Sequence, residues 1–314
     1  MMNKRRLGKT NLQVSEVAFG AWQLGNYDQW GGMTDTDALN LVAKARDLGC
    51  NLFDTAPNYA KTNSERLLGE ALGHQRKDVV LVSKFGHRPD GETDFSAQWF
   101  WQSLHGSLER LKTDYLDVIL AHSPPKNVLN GEHEVWAAMA QAQQQGKIRY
   151  YGASVDYADD VRDVLNTSNA QVLELMFSVL HQDVRLAFDL VKEKDVGVIT
   201  KVPLDSGWLS GKYTAASRFE GVRERWSVAE IEQRASAIDG LKAILPEGVP
   251  LTDQAIAYLL SYDEVSSVIP GMRSEQQLIN NFRAIGQRLT PELKQQVEAF
   301  WLTLTKQGKQ LLPW

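Results

Sequence analysis

The chain has 314 residues, 43% of them hydrophobic and 23% charged, a composition that builds a sizeable core and excludes a disordered chain. Its 34 basic against 39 acidic residues leave a net charge of -5, which excludes a nucleic-acid binder that relies on bulk positive charge. No run nears the roughly 18 apolar residues that span a bilayer, so no membrane partner is expected.

Short apolar runs alternate with amphipathic stretches along the whole chain. The basic start is followed by no apolar stretch of a secretory signal. Residues 17–20 read as a first strand, and 37–48 as a helix with Ala38, Leu41, Val42 and Ala45 on one face and Gly49 as its C-cap. A second strand is expected over 51–54, then a helix over 64–72 opened by Ser64 as N-cap. A third strand and helix follow at 79–83 and 97–111, a fourth pair at 115–121 and 132–145, and a fifth at 148–153 and 158–165. A sixth strand at 172–176 precedes a helix at 184–193, and a seventh strand at 196–200 runs into a long polar segment, 203–250. A helix at 252–260, an eighth strand at 266–269, its helix at 275–284 and an extra C-terminal helix at 291–305 complete the order.

Eight strands, each followed by a helix, specify a (β/α)8 TIM barrel. We expect one domain over residues 1–314, with the extra C-terminal helix and the long loop after strand seven as additions. A doubly wound sheet carries GxGxxG after its first strand, and here that turn reads Gly20-Ala21-Trp22-Gln23-Leu24-Gly25. The stretch Gly207-Trp208-Leu209-Ser210-Gly211-Lys212 falls one residue short of a phosphate loop, with Tyr213 where Ser or Thr is needed. The single cysteine, Cys50, excludes an internal disulfide and fits a reducing cytoplasm as a buried structural thiol.

Barrel chemistry sits at the C-terminal strand ends. Strand two ends in Asp54 with Tyr59 in its loop, strand three in Lys84, and strand four in His122. A free tyrosine, with a pKa near 10, is a poor proton donor at neutral pH, and a nearby ammonium favours its phenolate. A buried lysine keeps its charge only beside a carboxylate, which Asp54 supplies for Lys84, while His122 is placed to orient a carbonyl. The set suits protonating an alkoxide as hydride reaches a carbonyl carbon. Taken singly, each residue reads better as a rim salt bridge, an exposed aromatic or a turn histidine. Four on adjacent strand ends favour function. The six histidines are scattered and form no metal motif.

The chain resembles an aldo-keto reductase over nearly its whole length. The carrying stretches are Leu7-Gly8-Lys9-Thr10, Phe19-Gly20-Ala21-Trp22, Phe53-Asp54-Thr55-Ala56-Pro57-Asn58-Tyr59, and Ser64-Glu65-Arg66-Leu67-Leu68-Gly69-Glu70-Ala71-Leu72. Val82-Ser83-Lys84, Leu116-Asp117-Val118 running to His122, Gly146-Lys147-Ile148-Arg149 running to Gly152-Ala153-Ser154, and Ile269-Pro270-Gly271-Met272-Arg273 continue it. The pattern is most similar to the bacterial branch acting on general aldehydes and sugars. The resemblance implies Tyr59 as general acid, Lys84 and Asp54 as its tuning pair, and His122 as substrate orienter. It implies NADPH/NADP extended across the rim, touching Gly20, Ala21, Trp22, Asp54 and Ser154. Leu204, Ser206 and Leu209 fall in the loop over the pyrophosphate, and Gly271, Arg273, Gln277 and Asn281 match the adenosine end. Arg273, where a helix starts, would meet the 2′-phosphate.

Three positions depart from the family's pattern. Val155 stands for the usual Asn, Glu174 for the usual Gln, and Lys201 for an aromatic ring that stacks on nicotinamide. Glu174 and Lys201 lie on neighbouring strands at similar depth and are expected to pair. Such a pair either replaces the stacking clamp, its cation disfavouring the oxidised cofactor, or is structural. Trp22, Tyr27, Trp30 and Phe85 are candidates for an aromatic slot around a small-molecule carbonyl substrate; His87 and Arg88 could touch substrate but read better as surface residues, and the part of the long loop carrying Arg218 to Arg225 could order over the cofactor. Three readings stay open: an NADPH-dependent carbonyl reductase, a sugar or polyol dehydrogenase running in reverse, and a non-catalytic cofactor-binding regulatory subunit. Substrate identity and oligomeric state are not specified by the sequence.

Overall fold

The computed structural model describes residues 3–26 and 33–313, so Tyr27 and Trp30 lie outside the described residues. Two short strands, β1 (Lys4–Arg6) and β2 (Gln13–Ser15), open it as an antiparallel hairpin. Eight parallel strands follow: β3 (Phe19–Gly20), β4 (Leu52–Asp54), β5 (Val80–Phe85), β6 (Leu116–His122), β7 (Ile148–Val155), β8 (Val172–Met176), β9 (Gly197–Lys201) and β10 (Val265–Val268). They pair in chain order. The first and last are joined by parallel bridges Val17↔Val268 and Gly20↔Gly271, and Ala18 N–H donates to the Val268 carbonyl at 2.9 Å. The sheet thus returns on itself as the expected (β/α)8 barrel.

The strands are short apolar runs because both faces are covered, one by the barrel interior and one by helices. β5 shows the alternation. Lys84 points into the barrel, while Ser83 donates outward to Glu65 of the helix Asn63–Leu72 at 2.6 Å. Phe85 is fully buried and packs on Phe100 of the helix Ala97–Arg110, with ring centroids 5.0 Å apart. Period-two parity therefore takes Phe85 out of the expected substrate slot and into the sheet–helix layer.

The structure corrects other expectations. Ser64 is not an N-cap. It lies inside the helix Asn63–Leu72, donates to the Ala21 carbonyl at 2.8 Å and shares a hydrogen bond with Thr55 at 2.9 Å. It pins the turn after β3 to the loop after β4. The expected loop 203–250 holds a helix, Val228–Lys242, opened by a Ser227–Glu230 capping box. Its buried side chains include Arg234 and two alanines beside Ile231, Ile238 and Leu241, which hides an apolar stripe from a periodicity reading. The C-terminal helix Pro291–Leu304 has Pro at its first turn and Thr290 as N-cap, and its Trp301 is fully buried. Cys50 is buried, and its thiol is pushed up to about 12 by burial, which leaves it inert.

One glycine sets the spacing of the strands that carry the site. A Cβ on Gly152 of β7 would lie 1.7 Å from the Val172 carbonyl of β8. Gly152→Ala is therefore expected to force the two strands apart and lower stability by about 3 kcal/mol, read as an earlier urea midpoint with unchanged slope. An unchanged midpoint would show that the strands tolerate the added methyl.

Candidate active site

The register of the sheet sets the site. His122 lies opposite Ser154, and Ser154 opposite Glu174, so their side chains sit in one layer with Lys84 and Asp54 near the C-terminal rim. Lys84 Nζ donates to both Asp54 carboxylate oxygens at 2.6 Å and to the Thr55 carbonyl at 3.1 Å. It also lies 3.1 Å from Glu174 Oε2. These side chains are 0% (Lys84), 3% (Asp54) and 1% (Glu174) exposed. Tyr59 reaches the same ammonium, its ring centroid 5.2 Å from Lys84 Nζ. The His122 ring stands edge-on to Tyr59 at 5.9 Å. The structure brings all four expected catalytic residues together.

Burial drives the ionisation of each group. It pushes the Tyr59 hydroxyl up, and the charges of Asp54 and Glu174 add to that while Lys84 opposes it. Burial alone would strip the Lys84 ammonium, but Asp54 and Glu174 outweigh it and hold the proton on. Asp54 is held well above the usual carboxylate range by burial and by Glu174. Burial also acts upward on Glu174, yet Lys84 and Lys201 keep it low. His122 is held well below its usual value by burial and then by Lys84 and Lys201, so it is neutral.

The expected Glu174–Lys201 ion pair is replaced by a hydroxyl bridge. Lys201 Nζ donates to Ser154 Oγ at 2.8 Å, and Ser154 donates to Glu174 Oε1 at 3.0 Å. Lys201 forms its own ion pair with Asp156 at 2.8 Å, and Glu174 forms its pair with Lys84. Several residues just past these strand ends hold strained backbone. Ala60, Lys61 and Thr62 follow Tyr59 with φ of 52°, 49° and 78°, Ser123 follows His122 with 47°, and Val202 follows Lys201 with 56°. Such left-handed conformations in non-glycine residues concentrate at functional sites.

The residues expected to line a cofactor occupy the rim from β3 round to β10. Gly20 and Ala21 are buried there and Trp22 is 39% exposed. Gly271 faces Gln23, whose buried Oε1 lacks a hydrogen-bond partner. Two residues brace the turn before the helix Glu275–Phe282. Gln277 accepts from the Arg273 backbone N–H at 2.9 Å, and Asn281 donates to the Gly271 carbonyl at 3.4 Å. Leu204 and Ser206 are half-buried in the loop after β9, and Leu209 is fully buried, so its side chain supports the loop from within.

Sequence reasoning missed three contributors. His87, expected on the surface, is half-buried with its ring 4.8 Å from His122. Asp156 is the ion-pair partner of Lys201. Arg223 donates to the Ser206 carbonyl at 2.7 Å, and burial, together with the like charge of Arg273, lowers its pKa. The like charge of Arg273 is thus felt at Arg223, and an anion near both would relieve it. The cluster Arg218 to Arg225 was the available signal for Arg223. No cluster of metal-ligating side chains occurs among the described residues, and no helix is long and apolar enough to cross a membrane.

Comparison with known proteins agrees with this geometry. The chain is 29% identical to the aldo-keto reductase AKR11C1 from Bacillus halodurans in its holo form, covering 96% of each chain with a TM-score of 0.82. It is 33% identical to the L-galactose dehydrogenase of Arabidopsis thaliana, over 90% of this chain and 87% of that protein. It is also 32% identical to a probable voltage-gated potassium channel subunit beta of Oryza sativa subsp. japonica, over 95% of this chain and 96% of that one. The model of the Aldo/keto reductase family matches residues 16–302, and the chain belongs to that family.

Proposed function

We propose that this protein reduces aldehydes or ketones to alcohols with NADPH, and that Tyr59 gives the proton. The observation that carries this reading is the contact of half-buried Tyr59 with a fully buried ammonium that carboxylates keep charged. Bound across the rim, reduced nicotinamide supplies a hydride to the carbonyl carbon. Tyr59 stays protonated in the resting site and hands its proton to the oxygen as negative charge develops there. An alkoxide is a stronger base than a phenolate, so the transfer runs downhill. Lys84 stabilises the phenolate that is left. Neutral His122 donates a hydrogen bond to the substrate oxygen and orients it beside Tyr59. The bracing of the 271–273 turn at the start of a helix, with Arg273 on it, fits a dinucleotide carrying phosphates.

Two relatives keep other readings in play. A dehydrogenase such as the L-galactose enzyme is named for the opposite direction, and the same residues run that reaction once Tyr59 is ionised. A channel subunit beta has a binding role by name. The charged Lys84 and the Tyr59 contact favour turnover in this chain.

The test is oxidation of NADPH and of NADH with a reactive aromatic aldehyde, beside fluorescence titration of each cofactor. Turnover with a marked NADPH preference is expected. Arg273→Met is expected to weaken NADPH binding roughly ten- to a hundredfold, the worth of a charge-assisted hydrogen bond, and to leave NADH nearly unchanged. Tight NADPH binding without any turnover would favour the binding role. Equal loss for both cofactors would remove Arg273 from the 2′-phosphate.

Neutral His122 also predicts a pH dependence. Its pKa is lower folded than unfolded, so its contribution to stability is complete above the unfolded value, about 6.5, and is lost as the pH falls below it. Urea unfolding between pH 7 and 5 should show a slope from this group of up to about 1.4 kcal/mol per pH unit, flattened in His122→Asn. An identical slope in both proteins would mean that His122 takes up a proton as readily folded as unfolded.

A further inference from the structure

The position that departs most from the family's pattern adds a second carboxylate to the one buried ammonium. Lys84 is fully buried, and both Asp54 and Glu174 touch it, at 2.6 and 3.1 Å. The two carboxyls therefore flank a single ammonium, and each raises the cost of ionising the other. With both ionised, this water-excluded group carries one cation and two anions. Lys201 does not cancel the excess, because Asp156 matches its charge at 2.8 Å. An isolated buried negative charge is costly, and two neighbouring carboxylates cannot both ionise cheaply. One proton between them brings the group to neutrality.

We propose that Asp54 and Glu174 share one proton beside the charged Lys84, and that this pair is an internal store from which Tyr59 is reprotonated after each turnover. Lys84 lies against Tyr59, whereas Asp54 and Glu174 act through Lys84 as positioning residues. The balance is as follows. Tyr59 gives its hydroxyl proton to the reduced substrate's oxygen and becomes a phenolate. The phenolate takes a proton from Lys84 Nζ, and Lys84 takes the proton of the carboxyl pair, which is left doubly ionised. Water restores that proton when the site opens. The charged and titratable groups facing the pair are Lys84 on β5, Tyr59 after β4, His122 on β6, and Lys201 on β9 with Asp156 behind it; Ser154 on β7 donates to Glu174. Burial acts upward on both carboxyls, which agrees with one proton held between them.

The inference rests on the proposed function for its kinetic consequence but not for the proton itself. Infrared difference spectroscopy of the whole protein at pH 7 reads the proton directly, as the C=O stretch of a neutral carboxylic acid above the amide and carboxylate bands. The band is expected in the parent, retained in Glu174→Asp, and lost in both Glu174→Gln and Asp54→Asn. Absence from the parent, or persistence in both single-carboxyl variants, overturns the proposal. The second readout is the pH profile of carbonyl reduction. Without the store, the alkaline fall of kcat in Glu174→Gln should begin about one pH unit lower than in the parent, roughly a tenfold further loss on that limb, whatever the change in the neutral rate. A Glu174 that only supports structure would lower kcat by one factor at every pH, and parallel profiles would therefore contradict the proposal. If the parent reduces no carbonyl, the function assigned above fails, while the band still decides the proton.

Discussion

A single buried ammonium organises this protein. Lys84 sits fully buried inside the barrel, and it stays charged because two carboxyls and a carbonyl surround it. Removing a cation from such a cluster leaves buried anions unmatched, so the residues around Lys84 are fixed by electrostatics as firmly as by packing. Tyr59 is drawn into the same cluster, and the tension between its burial and the adjacent ammonium gives it chemistry that a surface tyrosine lacks.

The barrel serves this cluster by register. The pairing of the parallel strands presents Asp54, Lys84, His122, Ser154, Glu174 and Lys201 to one rim, and residues with left-handed backbone follow Tyr59, His122 and Lys201. Elsewhere buried polar links hold the rim loops. Ser64 ties the turn after β3 to the loop after β4. The fully buried Arg234–Asp205 pair ties the loop after β9 to the helix Val228–Lys242, and Arg234 also reaches the Pro313 carbonyl. The loop that carries Ser206 and Arg223 is thereby anchored to the C-terminal end of the chain.

Most of this order was legible in the residues. The eight strands follow from apolar runs long enough to be buried on both faces, and Asp54, Tyr59, Lys84 and His122 follow from reading strand ends. The hairpin β1–β2 escaped because its three-residue strands are polar and carry no period. The helix Val228–Lys242 escaped because Arg234, buried against Asp205, interrupts its apolar face. Phe85 was misassigned because its neighbour Lys84 points inward, and adjacent strand residues face opposite ways. Glu174 and Lys201 were assigned to one another because depth in a barrel is readable from the sequence, whereas the choice among several opposite charges depends on which strand lies between. There, Ser154 bridges the two and Lys84 and Asp156 take the ion pairs.

The measurement that tests the account most directly is the rate of NADPH oxidation by an aromatic aldehyde in the parent and in Tyr59→Phe, with NADPH binding checked in both. The phenyl ring keeps the packing and removes only the proton. If the buried cluster exists to deliver that proton, binding stays within a few-fold and the rate falls by about 10²–10⁴, the worth of a positioned general acid. Equal rates would mean that the proton comes from elsewhere and that the Lys84 cluster is a structural core.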